Sequence, residues 1–223
     1  MHRGPHPEDL QLFDAIQAAD FAMAVEDYSW LLGRGYARGA GLTLVGDRFQ
    51  LTQRQRVALG RCACSDVARE RRERKAVAEF SSIQIDGLNA LTTVEAALAG
   101  GVVLRGRDGC LRDMASFHGN YRMVEEAARA AELVGIHLAG RPALWLLDKP
   151  VSNTGRLAQL LREVATLHRW PWEVELVADP DALLKVSAEV VATSDSAILD
   201  GCSRWYNLAR RVVDELPGVW FFP

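Results

Sequence analysis

The sequence predicts an α/β fold: a Rossmann-like three-layer α/β/α sandwich with a mainly parallel sheet, preceded by a small helical domain. Two observations predict it. From residue 80 onward, short apolar runs alternate with segments of helical periodicity, which is typical of a parallel sheet with crossover helices. Before residue 80, the apolar residues recur at helical spacing. We therefore divide the chain into an arginine-rich helical domain, residues 1–79, and an α/β domain, residues 80–223.

The helical domain is predicted to contain two long helices. Apolar residues at three- and four-residue spacing, from Leu12 to Met23, predict an amphipathic helix that continues to about residue 32 and ends at a pair of glycines. After a glycine-rich connection, Thr52 is typical of an N-cap and begins a helix over 53–75.

Arginine crowds the polar face of this second helix. Residues 30–75 contain 11 basic and 4 acidic residues, whereas residues 80–223 contain 14 basic and 18 acidic ones. Both a solvated helix face and a phosphate-contacting surface explain such a pattern. In the second interpretation, Arg54 and Arg56 bind the substrate backbone.

The elements of the α/β domain follow from short β-type runs and from capping residues. The continuous apolar run ALWLL at 143–147 is typical of a buried parallel strand. Ser152 or Thr154 caps a helix that ends near residue 168, and Asp179-Pro180 begins another. Further strands are expected at 82–85, 102–104, 173–177 and 190–192, with further helices at 91–99, at 124–138 and after residue 195. The segment 205–222 is compatible with either a helix or a strand.

Three of the predicted strands end in an aspartate: Asp86, Asp148 and Asp195. A carboxylate at the end of a buried strand is costly unless it is paired, caps a helix or binds a metal. Taken singly, each aspartate is explained by a turn, an ion pair or a helix cap. Because the carboxyl ends of parallel strands lie at one edge of a sheet, the three together favour a shared site.

Clustered carboxylates suit the hard cations Mg²⁺ and Mn²⁺, which prefer oxygen ligands. Asp108 and Asp113 follow the second strand, and either one could complete the cluster while Arg112 holds a phosphate. A polar β-turn explains the same segment equally well. Glu95 is expected to face solvent rather than the cluster.

Four more residues complete the predicted site. Asn89 and Ser194 lie close to the aspartates in the sequence, and Ser152 lies at a helix start, where free N–H groups bind anions, although simple capping explains it too. His118 belongs to a polar loop with two aromatic residues, which either stacks bases or is an ordinary surface loop. The predicted catalytic residues are Asp86, Asp148, Asp195 and Asp113; the metal ligands Asp86, Asp148, Asp195 and Asp108; and the substrate-binding residues Asn89, Arg112, Ser152, Ser194, His118, Arg54 and Arg56.

These motifs together resemble the PIN-like and NYN-like nuclease superfamily. Asp86-Gly87-Leu88-Asn89 is similar to its first strand end, Thr193-Ser194-Asp195 to a later one, and Asp148 to a middle one. The resemblance spans roughly residues 82–208. It implies a PIN-like sandwich and a ribonuclease that depends on Mg²⁺ or Mn²⁺. The superfamily's helical acidic residue has three competing counterparts here: Glu95, Asp108 and Asp113.

A closer resemblance covers nearly the whole chain. The chain resembles an uncharacterised prokaryotic two-domain family whose N-terminal domain is domain of unknown function 434. The resemblance rests on residues 27–36, 44–51 and 55–56 in the first domain and on IDGLNALTT, RDGCLRDMASFHGNYR, LLDKPVSNTG and VATSDSAILD in the second. This resemblance implies membership of the family and no particular activity.

Composition narrows the function classes. The net charge of −3 excludes a polycation, and no apolar run is long enough to span a membrane. We expect a cytoplasmic protein with reduced cysteines, RNA as its partner and no membrane association; a homodimer is compatible with the sequence. The predicted function is that of a metal-dependent phosphodiesterase, a PIN-like ribonuclease. The alternative is a non-catalytic RNA- or protein-binding module with a structural acidic edge, and a nucleotide phosphatase ranks below both.

Overall fold

The structure, a computed structural model, describes residues 3–115 and 120–223. Its strands are β1 Ile83–Asp86, β2 Val103–Arg105, β3 Leu111–Arg112, β4 Ala143–Asp148, β5 Trp172–Val177, β6 Val190–Ala192, β7 Arg204–Tyr206 and β8 Phe221–Phe222. Its helices are α1 Asp9–Leu12, α2 Ala15–Gly33, α3 Arg38–Arg48, α4 Gln53–Cys62, α5 Asp66–Lys75, α6 Gly87–Leu98, α7 Ala127–Leu138, α8 Thr154–His168, α9 Pro180–Lys185, α10 Ser196–Gly201 and α11 Leu208–Val213.

Five strands form a parallel sheet in the order β5-β4-β1-β6-β7. The first strand of this sheet, β1, lies at its centre. The next two strands in the chain, β4 and β5, lie on one side of β1, and the chain then crosses to β6 on the other side. The direction of winding therefore reverses between β1 and β6, and such switch points are where open α/β sheets bind ligands. The predicted α/β class and parallel sheet are confirmed.

The sheet is the middle of three layers because alternate residues of its strands point to opposite faces. Trp145 and Leu147 of β4 pack with α6, α7, α8 and α11, in a core that also holds Ile85 of β1. Leu146 of the same strand packs on the other face with Leu184 of α9 and with α10. Both faces of the central strands are buried, which explains their continuous apolar sequence.

The prediction for residues 102–104 was right about a strand, but β2 does not join the parallel sheet. It pairs antiparallel with β3 and parallel with β8, in a separate three-stranded sheet. Phe222 of β8 lies against Phe13 and Phe21, with ring centroids 5.1 and 4.9 Å apart. Together with Val102, these residues form a core that belongs to both parts of the chain. The division into two independent domains at residue 79 stays a prediction.

The N-terminal part differs from its prediction in two places. The glycine-rich connection contains a helix, α3, and the single helix expected over 53–75 is two, α4 and α5. The break falls where Ser65 adopts an extended backbone and its hydroxyl accepts a hydrogen bond from the N–H of Ala68, starting a new helix. Thr52 caps α4 as predicted, within a capping box completed by Gln55.

The sequence also predicted the N-caps of two helices, α8 and α9. The residue at the N-cap of α8 is Asn153, in a left-handed conformation, rather than Ser152 or Thr154. Asp179 caps α9 as predicted.

The four cysteines are buried and free. Within the residues described, no helix combines the length and apolar character that crossing a membrane requires.

Candidate active site

A cleft of about 470 Å³ lies at the carboxyl ends of β1 and β6, where the winding of the sheet reverses. Its floor comes from the α/β part, and one wall comes from α3 and α4 of the helical part. Five carboxylates, three arginines and two polar side chains line it. They are Asp86, Asp113, Asp148, Asp181, Asp195, Arg38, Arg61, Arg112, Asn89 and Ser194, of which all but Asp181, Arg38 and Arg61 belong to the predicted site. The structure thus brings the three predicted strand-end aspartates to one place.

Asp86, the last residue of β1, is the most buried of these strand-end aspartates, with 7% of its surface exposed. The hydroxyl of Thr193 donates a 2.8 Å hydrogen bond to its Oδ2. Burial, with a smaller contribution from the negative charges of Asp181 and Asp195, outweighs the hydrogen bond from Thr193 and raises the pKa of Asp86 to about 7. Among residues 3–115 and 120–223, Asp86 therefore has no cationic partner, which a buried carboxylate normally has.

The segment after β6 is fixed to the start of α6. Asn89 Oδ1 accepts hydrogen bonds from the backbone N–H of Ser194 at 2.7 Å and from its hydroxyl at 2.9 Å. Thr193 Oγ1, which donates to Asp86, also accepts from the N–H of Asp195 at 3.0 Å. The spacing of Asp86 and Asp195 is therefore set through one threonine hydroxyl. Anchoring of Oδ1 leaves the amide NH₂ of Asn89 at the cleft, and no acceptor for it lies among the described residues.

Asp195 has two roles in the structure. Its Oδ1 accepts hydrogen bonds from the N–H groups of Ala197 at 2.7 Å and Ile198 at 3.1 Å, so it caps α10. The same side chain lines the cleft. In the sequence, helix capping was one explanation of Asp195 and a place in the shared site was another. In the structure, Asp195 both caps α10 and lines the cleft.

Asp148 and Asp181 complete the acidic side of the cleft. Burial raises the pKa of Asp148, and the charge of Asp181 raises it further. Burial also raises the pKa of Asp181, with a contribution from Asp195 that the 3.8 Å ion pair with Lys185 opposes. Asp181 is absent from the predicted site. Its sequence signal was weak, because the first aspartate after β5 is the helix cap Asp179, and Asp181 lies within α9.

Asp113 lies at the cleft, but its oxygens are already engaged. Oδ2 accepts from the hydroxyls of Thr92 at 3.0 Å and Thr93 at 3.3 Å, and Oδ1 accepts from the N–H of Ala115 at 2.6 Å. The Arg61 guanidinium lies 3.8 Å away. This carboxylate holds the loop after β3 in place, which is a structural task.

Asp108 and Arg112 were predicted as a metal ligand and a phosphate-binding residue, and the structure pairs them with each other. Arg112 donates to both oxygens of Asp108, at 2.9 and 2.7 Å, and to the carbonyl of Ser194 at 2.8 Å. Arg72 donates to the same carboxylate at 2.6 Å. Two guanidinium ions hold the pKa of Asp108 below its usual range. In the structure, Arg112 therefore supports the segment after β6 and Asp108 supports Arg112, while their predicted roles toward a ligand stay predictions.

The remaining predicted residues lie elsewhere. Arg54 donates to both oxygens of Asp9, and Arg56 donates to Asp47 at 2.7 Å, so these arginines stabilise the helical part instead of forming a free phosphate surface. Ser152 is exposed outside the cleft lining. His118 lies outside the described residues. Glu95 was expected at the surface but is fully buried, where it accepts hydrogen bonds from Tyr121 and Arg3.

Charge around the cleft is unbalanced. Among the described residues, the only ion pair of its four unsupported aspartates is the one between Asp181 and Lys185; the other three are Asp86, Asp148 and Asp195. The arginines Arg61 and Arg112 are engaged with other groups. In residues 3–115 and 120–223, no three His, Cys, Asp or Glu side chains are close enough to share a metal ion. The donor set itself, oxygen only and desolvated, has the chemistry that hard divalent cations prefer.

The fold and cleft define an α/β protein with an acidic site at the switch point of its sheet. The chain belongs to the family described as "Domain of unknown function (DUF5616)", which matches residues 76–211. Residues 20–75 match "Protein of unknown function (DUF434)". An uncharacterized protein of Methanocaldococcus jannaschii is 33% identical over 182 residues, which cover 79% of this chain and 87% of the relative. No solved structure is significantly similar. The predicted two-domain family is confirmed.

Proposed function

We propose that this protein is a metal-dependent phosphodiesterase that cleaves RNA, of PIN-like or NYN-like type. One observation carries the proposal: aspartates at or shortly after the carboxyl ends of four neighbouring parallel strands line a single cleft at the switch point of the sheet. The first of them, Asp86, is buried and has no cationic partner within the part of the chain that the structure describes. A bound cation would relieve that cost, because it favours the ionised form of each carboxylate.

The proposed ligands are Asp86, Asp148, Asp195 and Asp181. Asp181 takes the fourth position because the oxygens of Asp113 and Asp108 already accept hydrogen bonds from other groups. Asp195 can cap α10 and also bind, since only its Oδ1 accepts the capping hydrogen bonds. A divalent cation held there supplies charge neutralisation for a phosphodiester and activation of an attacking water.

The other residues of the cleft would fix geometry. Thr193 links Asp86 to the backbone of Asp195, so the relative position of these two residues would be fixed before a ligand binds. The Asn89 amide NH₂ can donate to a phosphate oxygen, because Ser194 anchors its Oδ1. Arg112 supports this arrangement from behind through the Ser194 carbonyl.

The direct test is cleavage of a labelled RNA with Mn²⁺ by the wild type, Asp86→Asn and Asp214→Asn. We expect Asp86→Asn to lose about 100-fold or more of the activity, since even groups that only support ligands contribute 10–100-fold. Asp214→Asn removes an exposed carboxylate paired with Arg210 outside the cleft and should leave activity unchanged. Equal cleavage by the wild type and Asp86→Asn would contradict the proposal. RNA binding with a steep salt dependence but no divalent binding would support a non-catalytic module instead.

A second pair of variants separates the two roles of Asp195. Asp195→Ser keeps an oxygen that can cap α10, whereas Asp195→Ala removes it at about 1 kcal/mol of stability. We expect the serine variant to unfold at nearly the wild-type midpoint while losing Mn²⁺-dependent cleavage. The alanine variant should lose both. A fully active Asp195→Ser protein would remove Asp195 from the ligand set.

A further inference from the structure

Arg38 is a cleft residue that the helical part contributes. It is the first residue of α3 and lines the same cleft as the aspartates. Its backbone is held in place, because the buried Tyr28 donates a 3.1 Å hydrogen bond from its hydroxyl to the Arg38 carbonyl. Its side chain is exposed, and over residues 3–115 and 120–223 its guanidinium has neither a hydrogen bond nor an ion pair.

The other two arginines at the cleft are already engaged. Arg61 donates to the carbonyls of Asp113 and Ala115, the second at 2.7 Å. Arg112 is occupied by Asp108 and the Ser194 carbonyl. Among the cleft arginines of the described chain, Arg38 alone therefore has its donors available for a ligand. Guanidinium groups bind phosphate through two parallel hydrogen bonds, which a surface lysine cannot reproduce.

We propose that Arg38 binds a backbone phosphate of the RNA strand and so makes the helical part a substrate-binding wall of the cleft. This inference rests on the proposed function, because it takes the ligand of the acidic cleft to be a phosphodiester strand. The carboxylates repel such a strand, and a cation fixed at the cleft wall offsets that repulsion for a phosphate next to the one being cleaved. The strand would then lie between α3 and the ends of β1 and β6.

The position of Arg38 differs from the phosphate surface predicted from arginine density. Arg54 and Arg56 belong to the densest run, but Asp9 and Asp47 neutralise them. Arg38 lies outside that run, beside glycines at the start of a helix that the sequence did not predict. We therefore choose the phosphate-binding residue by whether its guanidinium is unpaired among the described residues, and not by how many arginines lie nearby in the sequence.

The test measures binding of a fluorescein-labelled single-stranded RNA of ten nucleotides by anisotropy, in EDTA, so that no divalent-dependent cleavage occurs. We expect Arg38→Ala to weaken binding about 10-fold and to reduce the slope of log K against log salt by about 0.7, the value for one phosphate contact on a single strand. Arg38→Lys should keep the slope and recover part of the affinity. The matched control is Arg74→Ala, which removes an exposed arginine of α5 outside the cleft lining and should bind like the wild type.

The outcomes separate this inference from the proposed function. Wild-type protein that binds RNA through Arg38 but does not cleave it with Mn²⁺ would uphold Arg38 and remove the phosphodiesterase assignment. Cleavage by the wild type with unchanged binding and salt slope in Arg38→Ala would overturn Arg38 and leave the assignment standing. Equal losses in Arg38→Ala and Arg74→Ala, or no RNA binding by the wild type, would also overturn it.

Discussion

Asp86 is a buried aspartate whose environment strongly disfavours its charged form. Its carboxylate is buried, and its hydrogen bond from Thr193 does not compensate for the loss of water and the neighbouring negative charges. In the metal-free protein the carboxyl group therefore keeps its proton up to a pH of about 7. A free aspartate loses its proton near pH 3.9. The native state thus binds a proton that the unfolded state has released.

This difference predicts how stability depends on pH. Because the folded pKa is raised above the unfolded one, the favourable contribution is fully present below pH 4 and is lost as pH rises towards 7. A shift of about three pH units corresponds to about 4 kcal/mol at most. Asp86→Asn keeps a side-chain oxygen for Thr193 and removes the titration. In EDTA, the variant should match the wild type near pH 4 and be more stable by about 2–4 kcal/mol at pH 8.

Urea denaturation of both proteins at pH 4, 6 and 8 measures this effect. Asp214→Asn serves as the control, since it removes an exposed carboxylate of the same type. A difference between Asp86→Asn and the wild type that stays constant across pH would contradict the raised pKa. The variant that abolishes the proposed activity is thus expected to be the more stable protein, as is common where a site holds an uncompensated charge.

At the scale of elements, a buried ion network joins α5 to α10. Arg72 is 1% exposed and donates to Asp200 at 2.9 and 3.0 Å, to Asp108 and to the carbonyl of Ser196. The indole N–H of Trp205 donates to the Arg72 carbonyl at 2.7 Å. The network therefore fixes α5 against the segment that carries Asp195.

We predict unequal effects for two adjacent arginines of α5. Arg72→Ala removes one of the two guanidinium groups that hold the buried Asp108, which Arg112 still pairs, and leaves a cavity, so it should destabilise the protein by about 2–3 kcal/mol. Arg71→Ala removes an exposed ion pair to Asp200 and should lower stability by less than about 1 kcal/mol. Guanidinium chloride denaturation compares them directly. Similar losses for the two variants would show that Arg72 contributes no more than a surface charge.

Some elements and their contacts could be predicted from the sequence, and others could not. The strands that end at Asp86 and Asp148 were predictable, because buried parallel strands are continuous apolar runs and their polar ends stand out. The same rule applied to the end of β5 finds Asp179, the N-cap of α9, and misses Asp181, which lies two residues further on within that helix. The partners of Arg72 were not predictable, since Asp108 and Asp200 lie 36 and 128 residues away in the chain.

The helix α3 was missed for a different physical reason. Its glycines each disfavour a helix by about 1 kcal/mol, so local propensity predicts a connection. Tertiary packing overrides that preference. A Cβ atom on Gly41 would lie 3.1 Å from the Tyr28 ring, and one on Gly46 would lie 2.6 Å from the Arg56 guanidinium. The glycines allow α3 to approach its neighbours closely, and this approach places Arg38 at the cleft.

At the scale of the whole molecule, the two parts of the chain share a core. Phe222, near the C-terminus, is buried between Phe13 and Phe21 of the helical part, and Val102 and Leu104 pack in the same cluster. The helical part thus buries apolar surface that belongs to the second sheet. Since the cleft also takes lining residues from both parts, its shape depends on this packing.

The shared core predicts that the protein unfolds as one unit. Phe222→Ala should cost about 3–5 kcal/mol and shift a single calorimetric transition, whose van't Hoff and calorimetric enthalpies agree. Val186→Ala, at a site 82% exposed, should change stability by less than about 0.5 kcal/mol. Two separate transitions, of which Phe222→Ala shifts only one, would show independent domains. A single transition would mean that the helical part and the sheet edge assemble together, so that Arg38 and the aspartates reach the cleft in the same folding event.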